Sequence, residues 1–321
     1  MNHNKLYTTA KIAIFLAGSA MAGLALAAAP MAGTPAPGFF RMMLGDFEVT
    51  ALSDGTEPLP VDQLMRHATP AKVNQLLAKS YLASPLETSF NAFLINTGSK
   101  LVLIDTGSGT MFGKTLNKLQ HNLKASGYQP EQVDEIYLTH MHSDHEGGLS
   151  ENGAALFPNA VVRAEKHESD FWLNPEHLAK ARPGQKADFN NANSALAPYL
   201  AAGKYQAFDG DVELIPGISS QLAAGHTAGH SVYVVQSKGQ KLVLVGDLVH
   251  FGPVQFADPS ITTAFDSNSK SADQARTRLL DDASKAGYLI GAAHLQFPGL
   301  GRLRKNGGTY QWIPVNYTQM H

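Results

Sequence analysis

The stretch T-H-M-H-S-D-H-E-G-G, at residues 139–148, holds four potential metal ligands within six residues. It follows an alternating apolar run in the six preceding residues, which predicts a strand that ends where the histidines begin. At such a strand end, His140 and His142 can face the same way and bind one metal ion. The turn that follows carries Asp144 and His145, whose side chains can reach a second ion beside the first.

The donors in this stretch are imidazoles and a carboxylate, and the chain contains no cysteine. A metal ion in this protein must therefore be held by His, Asp or Glu. Such ligands without thiolate indicate a catalytic zinc, manganese or iron site rather than a closed structural zinc site. Gly147 and Gly148 let the backbone turn tightly behind the ligands, because glycine adopts φ values that other residues do not.

Residues 1–29 have the features of a secretory signal peptide. Lys5 and Lys11 give a positive start, residues 12–26 are apolar and rich in alanine, and small residues at the end offer cleavage sites. A membrane anchor is the alternative, but the apolar segment is short for a bilayer span. We therefore expect a periplasmic or secreted protein without stable membrane association after cleavage. Residues 30–321 are expected to form a single domain.

The charge balance argues against a nucleic-acid partner. The chain has 25 basic and 27 acidic side chains, and the signal segment holds two lysines and no acid. The remainder, with 23 basic and 27 acidic side chains, would carry a net charge of −4. It also lacks the basic runs that contact phosphates.

Hydrophobic patterning predicts strands and helices throughout the remaining chain. Predicted strands lie at residues 39–44, 47–52, 89–96, 101–104, 133–138, 161–164, 231–236, 241–245 and 309–315. Predicted helices lie at residues 70–80, 112–125 and 271–286, with a mostly helical insert at 165–203.

The second half of the chain repeats a pattern of the first. K-L-V-L-I-D at residues 100–105 is echoed by K-L-V-L-V-G-D at residues 241–247, and each buried strand delivers an aspartate at its carboxyl end. The echo suggests two similar β-rich halves packed face to face with helices outside. We therefore predict an α/β fold in the form of one αββα sandwich.

The H-x-H-x-D-H spacing resembles that of the metallo-β-lactamase superfamily. More closely, the chain is similar to the periplasmic methyl parathion hydrolase and dihydrocoumarin-type lactonase group of that superfamily. The likeness covers nearly the whole chain after the signal segment and includes residues 40–55, 85–89, 157–164, 292–299 and 314–317. It implies the metallo-β-lactamase fold, which is also an αββα sandwich.

A second motif, G-H-T-A-G-H at residues 225–230, offers two more histidines. Spacing alone cannot choose between them. In the superfamily the first histidine of this motif binds metal, so the resemblance implies that His226 is a ligand. His230 is then expected to support the site from outside the coordination shell.

Three further residues complete the expected centre. Asp247 ends a strand, where its carboxylate can bridge two ions, and His294 would join the second ion. Asp105 is expected to orient a ligand rather than bind metal. The predicted ligand set is therefore His140, His142, Asp144, His145, His226, Asp247 and His294.

Two divalent ions would make this centre hydrolytic. Ions roughly 3.5–4 Å apart can bridge a hydroxide, and a metal lowers the pKa of bound water from about 15.7 to about 7. That change corresponds to roughly 12 kcal/mol, against about 3–5 kcal/mol from a general base. The metals therefore dominate, and no Ser or Cys nucleophile is needed. Asp144 is the candidate to carry a proton to the leaving group, with Asp247 as the bridging catalytic residue. Zinc is the expected metal, and manganese, iron and cobalt are alternatives.

The resemblance also indicates which residues contact a small-molecule ester or lactone. Phe112, Trp172 and Phe189 match the aromatic positions that line the pocket of the parathion-hydrolase group. His250 and Phe265 depart from that group, where aliphatic residues are expected beside the substrate. The departure argues against efficient organophosphate hydrolysis and favours an aromatic lactone or aryl ester.

Other functions stay open from the sequence. A methyl-parathion-type phosphotriesterase, an acyl-homoserine lactonase and a β-lactamase would use the same metal centre. A mononuclear iron persulfide dioxygenase is the redox alternative, but it would leave Asp144, His145 and His294 unexplained as ligands. A metal-free binding protein would leave all seven unexplained. A homodimer is an open alternative to a monomer.

Overall fold

The structure is a computed structural model that describes Ala29 and residues 31–318. Apart from Ala29, the predicted signal peptide lies outside the described residues and stays a prediction. A compact unit begins at Pro37. The single domain predicted for residues 30–321 likewise stays a prediction. In the described part of the chain, no helix is both long and apolar enough to cross a membrane.

The strands follow the apolar runs of the sequence. In chain order they are β1 (Phe39–Leu44), β2 (Phe47–Leu59), β3 (Met65–Arg66), β4 (Leu86–Asn96), β5 (Leu101–Ile104), β6 (Glu135–Tyr137), β7 (Ser150–Glu151), β8 (Ala154–Ala155), β9 (Val161–Glu165), β10 (Tyr205–Phe208), β11 (Glu213–Ile215), β12 (Ile218–Leu222), β13 (Ser231–Ser237), β14 (Gln240–Leu244), β15 (Thr262–Thr263), β16 (Leu289–Gly291), β17 (Leu300–Asn306) and β18 (Thr309–Pro314).

The helices lie between these strands. In chain order they are α1 (Val61–Leu64), α2 (Pro70–Ala78), α3 (Leu119–Ala125), α4 (Ser143–Glu146), α5 (Lys166–Trp172), α6 (Pro175–Lys180), α7 (Pro183–Ala201), α8 (Gly252–Gln255) and α9 (Ser269–Ala286). Four of them have proline in the first turn, where no amide hydrogen is needed: α2, α6, α7 and α8.

Two seven-stranded sheets organise the described residues. The first has the order β1-β2-β4-β5-β6-β9-β10, and the second has the order β11-β12-β13-β14-β16-β17-β18. Parallel pairing runs from β5 through β6 and β9 to β10 in the first sheet and joins β14 to β16 in the second. The two strands that the sequence identifies as an echo, β5 and β14, each form one of these parallel pairs.

The core has layers that match these sheets. One cluster contains side chains from both sheets, including Ile104 and Tyr137 of the first and Tyr233 and Leu242 of the second. A second cluster packs the first sheet against α3 and α7, and a third packs the second sheet against α9. The order helix–sheet–sheet–helix confirms the predicted αββα sandwich.

One predicted helix is shorter than expected. Residues 112–125 have helical spacing, but α3 begins only at Leu119. The reason is a buried carboxylate: Asp54 accepts hydrogen bonds from the backbone amides of Lys118 and Leu119, both at 3.0 Å. Asn117 immediately before them has a positive φ of 65°. The segment before α3 is therefore tied to Asp54 in a loop rather than wound into a helix.

Candidate metal centre

The seven predicted ligands follow the ends of strands in both sheets. His140 and His142 come after β6, and Asp144 and His145 lie in or beside the first turn of α4. The remaining ligands follow β12, β14 and β16, and they are His226, Asp247 and His294. The structure brings all seven together in two groups that share Asp247.

The first group contains three histidines and Asp247. His142 Nδ1 lies 3.0 Å from His140 Nε2 and 3.0 Å from His226 Nε2. Asp247 Oδ2 lies 3.3 Å from His226 Nε2 and 3.7 Å from His140 Nε2. All four donor atoms are therefore close enough to bind one ion.

The second group contains Asp144, His145, His294 and the other oxygen of Asp247. Asp144 Oδ2 lies 3.4 Å from both His145 Nε2 and His294 Nε2. Asp247 Oδ1 lies 3.1 Å from His145 Nε2 and 3.2 Å from His294 Nε2. Because Asp247 directs one oxygen to each group, its carboxylate has the geometry of a bridge between two ions.

The hydrogen bonds behind the first group leave lone pairs that converge. Thr139 Oγ1 donates a hydrogen bond to the carboxylate of Asp105. The same oxygen can therefore accept a hydrogen bond from His140 Nδ1, which lies 3.0 Å away. His226 Nδ1 lies 3.0 Å from the carboxylate of Asp266. With both Nδ1 atoms protonated, the Nε2 atoms carry lone pairs, and His142 can donate a proton to only one of them. A bound cation satisfies all three nitrogens, so the residues fit a metal ion.

The second group also leaves donor atoms without hydrogen-bond partners. His145 Nε2 and Asp247 Oδ1 are buried and have none among the described residues. Buried polar atoms in proteins are normally paired, so an unpaired nitrogen facing an unpaired oxygen indicates a ligand between them. These two atoms fit the second ion.

Burial and neighbouring charges shift the pKa values of His142 and His294. Burial lowers the pKa of His142 to about 3, with a further contribution from His226. His142 is therefore neutral, the form that binds metal. Burial also opposes the charged form of His294, but Asp247 and Asp144 outweigh it and raise the pKa of His294 to about 10. Without a metal, a proton on His294 would thus supply positive charge that these carboxylates attract.

Asp105 lies behind the second group. Its carboxylate accepts hydrogen bonds from the amide and hydroxyl of Thr139, both at 2.8 Å, and lies 2.9 Å from His145 Nδ1. These contacts turn His145 Nε2 towards the centre. The geometry agrees with the orienting role expected for Asp105 rather than with metal binding.

His230 lies outside both groups. Its Nε2 accepts a hydrogen bond from the backbone amide of Asp247 at 3.1 Å. The ring is fully buried beside His140, with a distance of 5.2 Å between the ring centroids. His230 therefore supports the loop of the bridging carboxylate without lying in either group.

Two carboxylates that contact the metal loops carry no sequence motif and were not predicted. One is Asp266, the partner of His226. The other is Glu168, which is fully buried and accepts hydrogen bonds from the amides of Met141 and Gly229 at 2.9 Å and from Trp172 Nε1 at 2.7 Å. Met141 lies between two ligands, so Glu168 joins both ligand loops to the substrate cavity. The sequence signal for Glu168 is weak: it is one acidic residue within the insert predicted to be mostly helical.

A cavity of about 760 Å³ opens over the two groups. Aromatic side chains form much of its wall, namely Phe90, Phe112, Phe171, Trp172, Phe251 and Phe265. Polar side chains also line it, among them Ser143, Arg182, Gln185, Asp188 and Asn191. Four of the five predicted substrate-contacting residues line this cavity, which are Phe112, Trp172, His250 and Phe265.

The prediction that Phe189 lines the pocket is wrong. Phe189 is 2% exposed and packs in the core beneath Trp172 and Phe171, with ring centroids 4.8 and 5.2 Å away. It faces inwards from α7, while Asp188 beside it lines the cavity. Phe171 takes the expected place of Phe189 in the aromatic wall.

Comparison with known proteins agrees with this geometry. A family model described as the metallo-β-lactamase superfamily matches residues 88–294. The N-acyl homoserine lactonase AiiA of Bacillus thuringiensis subsp. kurstaki is 27% identical over 208 residues, which cover 62% of this chain and 74% of that protein.

Solved structures give the same result at the level of the fold. The hydrolase AbOPH in the β-lactamase superfamily has a TM-score of 0.85 and 38% identity, covering 89% of this chain and all of that chain. AidC, a dizinc quorum-quenching lactonase in complex with a product, has a TM-score of 0.80 and 28% identity, covering 88% of this chain and 99% of that chain. With the matched family model spanning more than half of its length, the chain belongs to the metallo-β-lactamase superfamily of metal-dependent hydrolases.

Proposed function

We propose that this protein is a dinuclear metal-dependent lactonase that opens aromatic lactones and cleaves aryl esters. The observation that carries the proposal is the aromatic-walled cavity directly over the two ligand groups. The shape suits a flat substrate whose carbonyl reaches the centre while its ring contacts the wall.

The metal centre would supply the chemistry common to its superfamily. Two divalent ions would lower the pKa of a shared water and polarise the scissile carbonyl. Three histidines and Asp247 would hold one ion, and Asp144, His145 and His294 with Asp247 would hold the other. The side chain of Asp144 lines the cavity and is 14% exposed, so its carboxylate can reach a leaving group. Asp144 is therefore the proposed proton carrier, and zinc is the proposed metal.

The cavity walls favour a planar ring. Phe112 contacts Phe90 with ring centroids 5.6 Å apart, and Trp172 contacts Phe171 with centroids 5.0 Å apart. Phe265 is 40% exposed and also lines the cavity, so its ring is open to a ligand. Aromatic pairs contribute roughly 0.5–1.5 kcal/mol beyond the area they bury. A lactone fused to a benzene ring could use this contribution, whereas an aliphatic lactone could not.

An acyl-homoserine lactonase is the second candidate. The relative AiiA is named an N-acyl homoserine lactonase, and the structural neighbour AidC is described as a quorum-quenching lactonase. The polar part of the cavity wall, with Asp188 and Asn191, could accept or donate hydrogen bonds to an acyl amide. Kinetics on dihydrocoumarin, an acyl-homoserine lactone, a paraoxon-type triester and a penicillin would distinguish the candidates. A kcat/KM for the acyl-homoserine lactone well above that for dihydrocoumarin would replace the first proposal with the second.

Location is also part of the proposal. The basic start and apolar run of residues 1–29 support export to the periplasm or the medium. Fractionation of the native host should then find the activity outside the cytoplasm, and activity confined to the cytoplasm would contradict it.

We expect about two divalent ions per chain. Seven donor residues converge in two groups, and Asp247 serves both. Elemental analysis of protein purified without chelator should give this stoichiometry, and chelation should abolish hydrolysis. One tightly bound iron per chain, without zinc or manganese, would instead support the mononuclear redox alternative.

His250 should set the preference between lactones and phosphotriesters. Its Nε2 lies 3.0 Å from Asp247 Oδ2, and its ring stacks on His294 with centroids 5.2 Å apart. A bulky polar ring at this place should crowd the alkoxy groups of a tetrahedral phosphotriester more than a flat lactone. We therefore expect His250→Leu to raise the ratio of phosphotriester to lactone kcat/KM about 10-fold, which is a typical effect of one pocket contact.

His121→Leu is the matched control, because His121 is an exposed residue of α3 that does not line the cavity. Its ratio should equal that of the wild type. An unchanged ratio in His250→Leu, or a wild type that already prefers the triester, would remove the specificity role of His250.

A further inference from the structure

Asp266 is a buried carboxylate with two separate partners. Its side chain is 1% exposed, and its Oδ1 lies 3.0 Å from His226 Nδ1. Its other oxygen, Oδ2, accepts a hydrogen bond from the backbone amide of Thr263 at 2.9 Å. Each oxygen of Asp266 is therefore used, one on a predicted metal ligand and one on its own loop.

The loop that carries Asp266 is fixed by the two residues that follow it. The amide of Ser267 donates to the carbonyl of His226, and the amide of Asn268 donates to the carbonyl of Gly225, both at 2.9 Å. The same loop contributes Phe265 and Ser267 to the cavity wall. The loop thus holds the His226 backbone, while Asp266 holds the His226 ring.

We propose that Asp266 is a positioning residue that keeps His226 in the tautomer and orientation needed to bind the first metal ion. The inference rests on the metal-binding role proposed above. A neutral imidazole carries one proton, and with that proton on Nδ1, facing Asp266, the lone pair stays on Nε2. Carboxylates that orient metal-bound histidines in this way typically change metal affinity 10–100-fold when they are mutated.

Replacing Asp266 by asparagine tests the hydrogen bonds at nearly constant volume. Asparagine offers one oxygen and one NH₂ group, whereas both partners of Asp266, the Thr263 amide and His226 Nδ1, present protons. With either orientation of the amide, its NH₂ group faces one of these donors. If it faces His226, the ring is driven to place its proton on Nε2, which can then no longer bind metal. If it faces Thr263, the amide oxygen still accepts from His226 Nδ1, but the loop loses the hydrogen bond that fixes Asp266 beside His226.

The experiment is a chelator titration of the zinc-loaded protein, with metal content measured per chain. Wild-type protein should release its ions at one range of chelator concentration, and Asp266→Asn should release one ion at a concentration about 10–100-fold lower. The second ion should be released as in the wild type, because Asp266 touches only the first group. Asp258→Asn is the matched control. Asp258 lies in a nearby loop, where it also accepts a hydrogen bond from a backbone amide, that of Ser260. It contacts no predicted ligand.

Thermal unfolding of the wild type and of Asp266→Asn, with zinc and after complete chelation, separates positioning from a purely structural role. Asp266→Asn should lower the unfolding temperature less in the metal-free form than in the zinc-loaded form. Equal chelator sensitivity in Asp266→Asn and wild type would overturn the inference while leaving the dinuclear centre intact. A decrease in the unfolding temperature of Asp266→Asn that is as large without metal as with metal would also overturn the inference. A wild-type protein that binds no metal would overturn the proposed function as well.

Discussion

His226→Ala should lower lactone kcat/KM at least about 10³-fold and remove about one metal ion per chain, because the centre supplies most of the driving force for hydrolysis. The Nε2 atom of His226 lies 3.0 Å from His142 Nδ1 and 3.3 Å from Asp247 Oδ2. Its removal deletes one of four donors around the first ion. Steady-state kinetics and elemental analysis on the same sample measure both effects.

His230→Ala is the matched variant from the same motif. His230 donates no atom to either group, and its contact is the hydrogen bond from the Asp247 amide. Losing that acceptor leaves a buried amide unpaired, which costs about 1–3 kcal/mol in stability. We expect His230→Ala to keep two ions and to lose activity by about 10–100-fold through movement of Asp247. If His230→Ala empties the centre and His226→Ala does not, the two histidines have the opposite roles.

The same pair of histidines illustrates how much of the site the sequence can predict. The donors in residues 139–148 could be predicted because consecutive residues at a strand end are near one another whatever the rest of the chain does. The choice between His226 and His230 could not be made from sequence spacing, since both lie in the loop between β12 and β13. It depends on the ring orientations and on the amide of Asp247, 17 residues beyond His230. Only the resemblance to a family could indicate His226 in advance.

The fold was predictable where the pattern was strong. The echoed strands β5 and β14 are short apolar runs, and the structure buries them in the two sheets as expected. The helix predicted at residues 112–125 begins late because the distant Asp54 competes for its amides. Phe189 was assigned to the pocket because it matches an aromatic position of the parathion-hydrolase group, but one position along a helix turns a side chain by about 100°. Local patterns cannot predict such tertiary contacts.

Glu168 and Asp266 could not be predicted for a related reason. Each contacts the metal loops across a large sequence separation: 61 residues from Glu168 to Gly229, and 40 from Asp266 to His226. Their partners at the loops are mostly backbone amides, which leave no residue-type signature in a sequence. A single acid in a helical insert therefore looks like an ordinary surface residue until the fold buries it.

Glu168→Ala should be the most destabilising of the substitutions considered. It leaves three buried donors without an acceptor, namely the amides of Met141 and Gly229 and the indole of Trp172. Each unpaired buried donor costs about 1–3 kcal/mol. Burial raises the pKa of Glu168, so the carboxylate itself is costly to bury, and its removal offsets part of the loss. We expect a net decrease of about 3–5 kcal/mol in the free energy of unfolding.

Urea unfolding with zinc in excess measures this decrease, and repeating it after chelation separates the fold from metal binding. Glu176→Ala is the control, because Glu176 is an exposed residue of α6 whose ion pair with Lys180 spans one helical turn. Such exposed pairs contribute at most about 0.5 kcal/mol. Glu168→Gln should fall between the two, since its amide oxygen still accepts while its NH₂ group opposes one donor. A Glu168→Ala protein as stable as Glu176→Ala would mean that water reaches the three donors and that Glu168 does not hold the two ligand loops together.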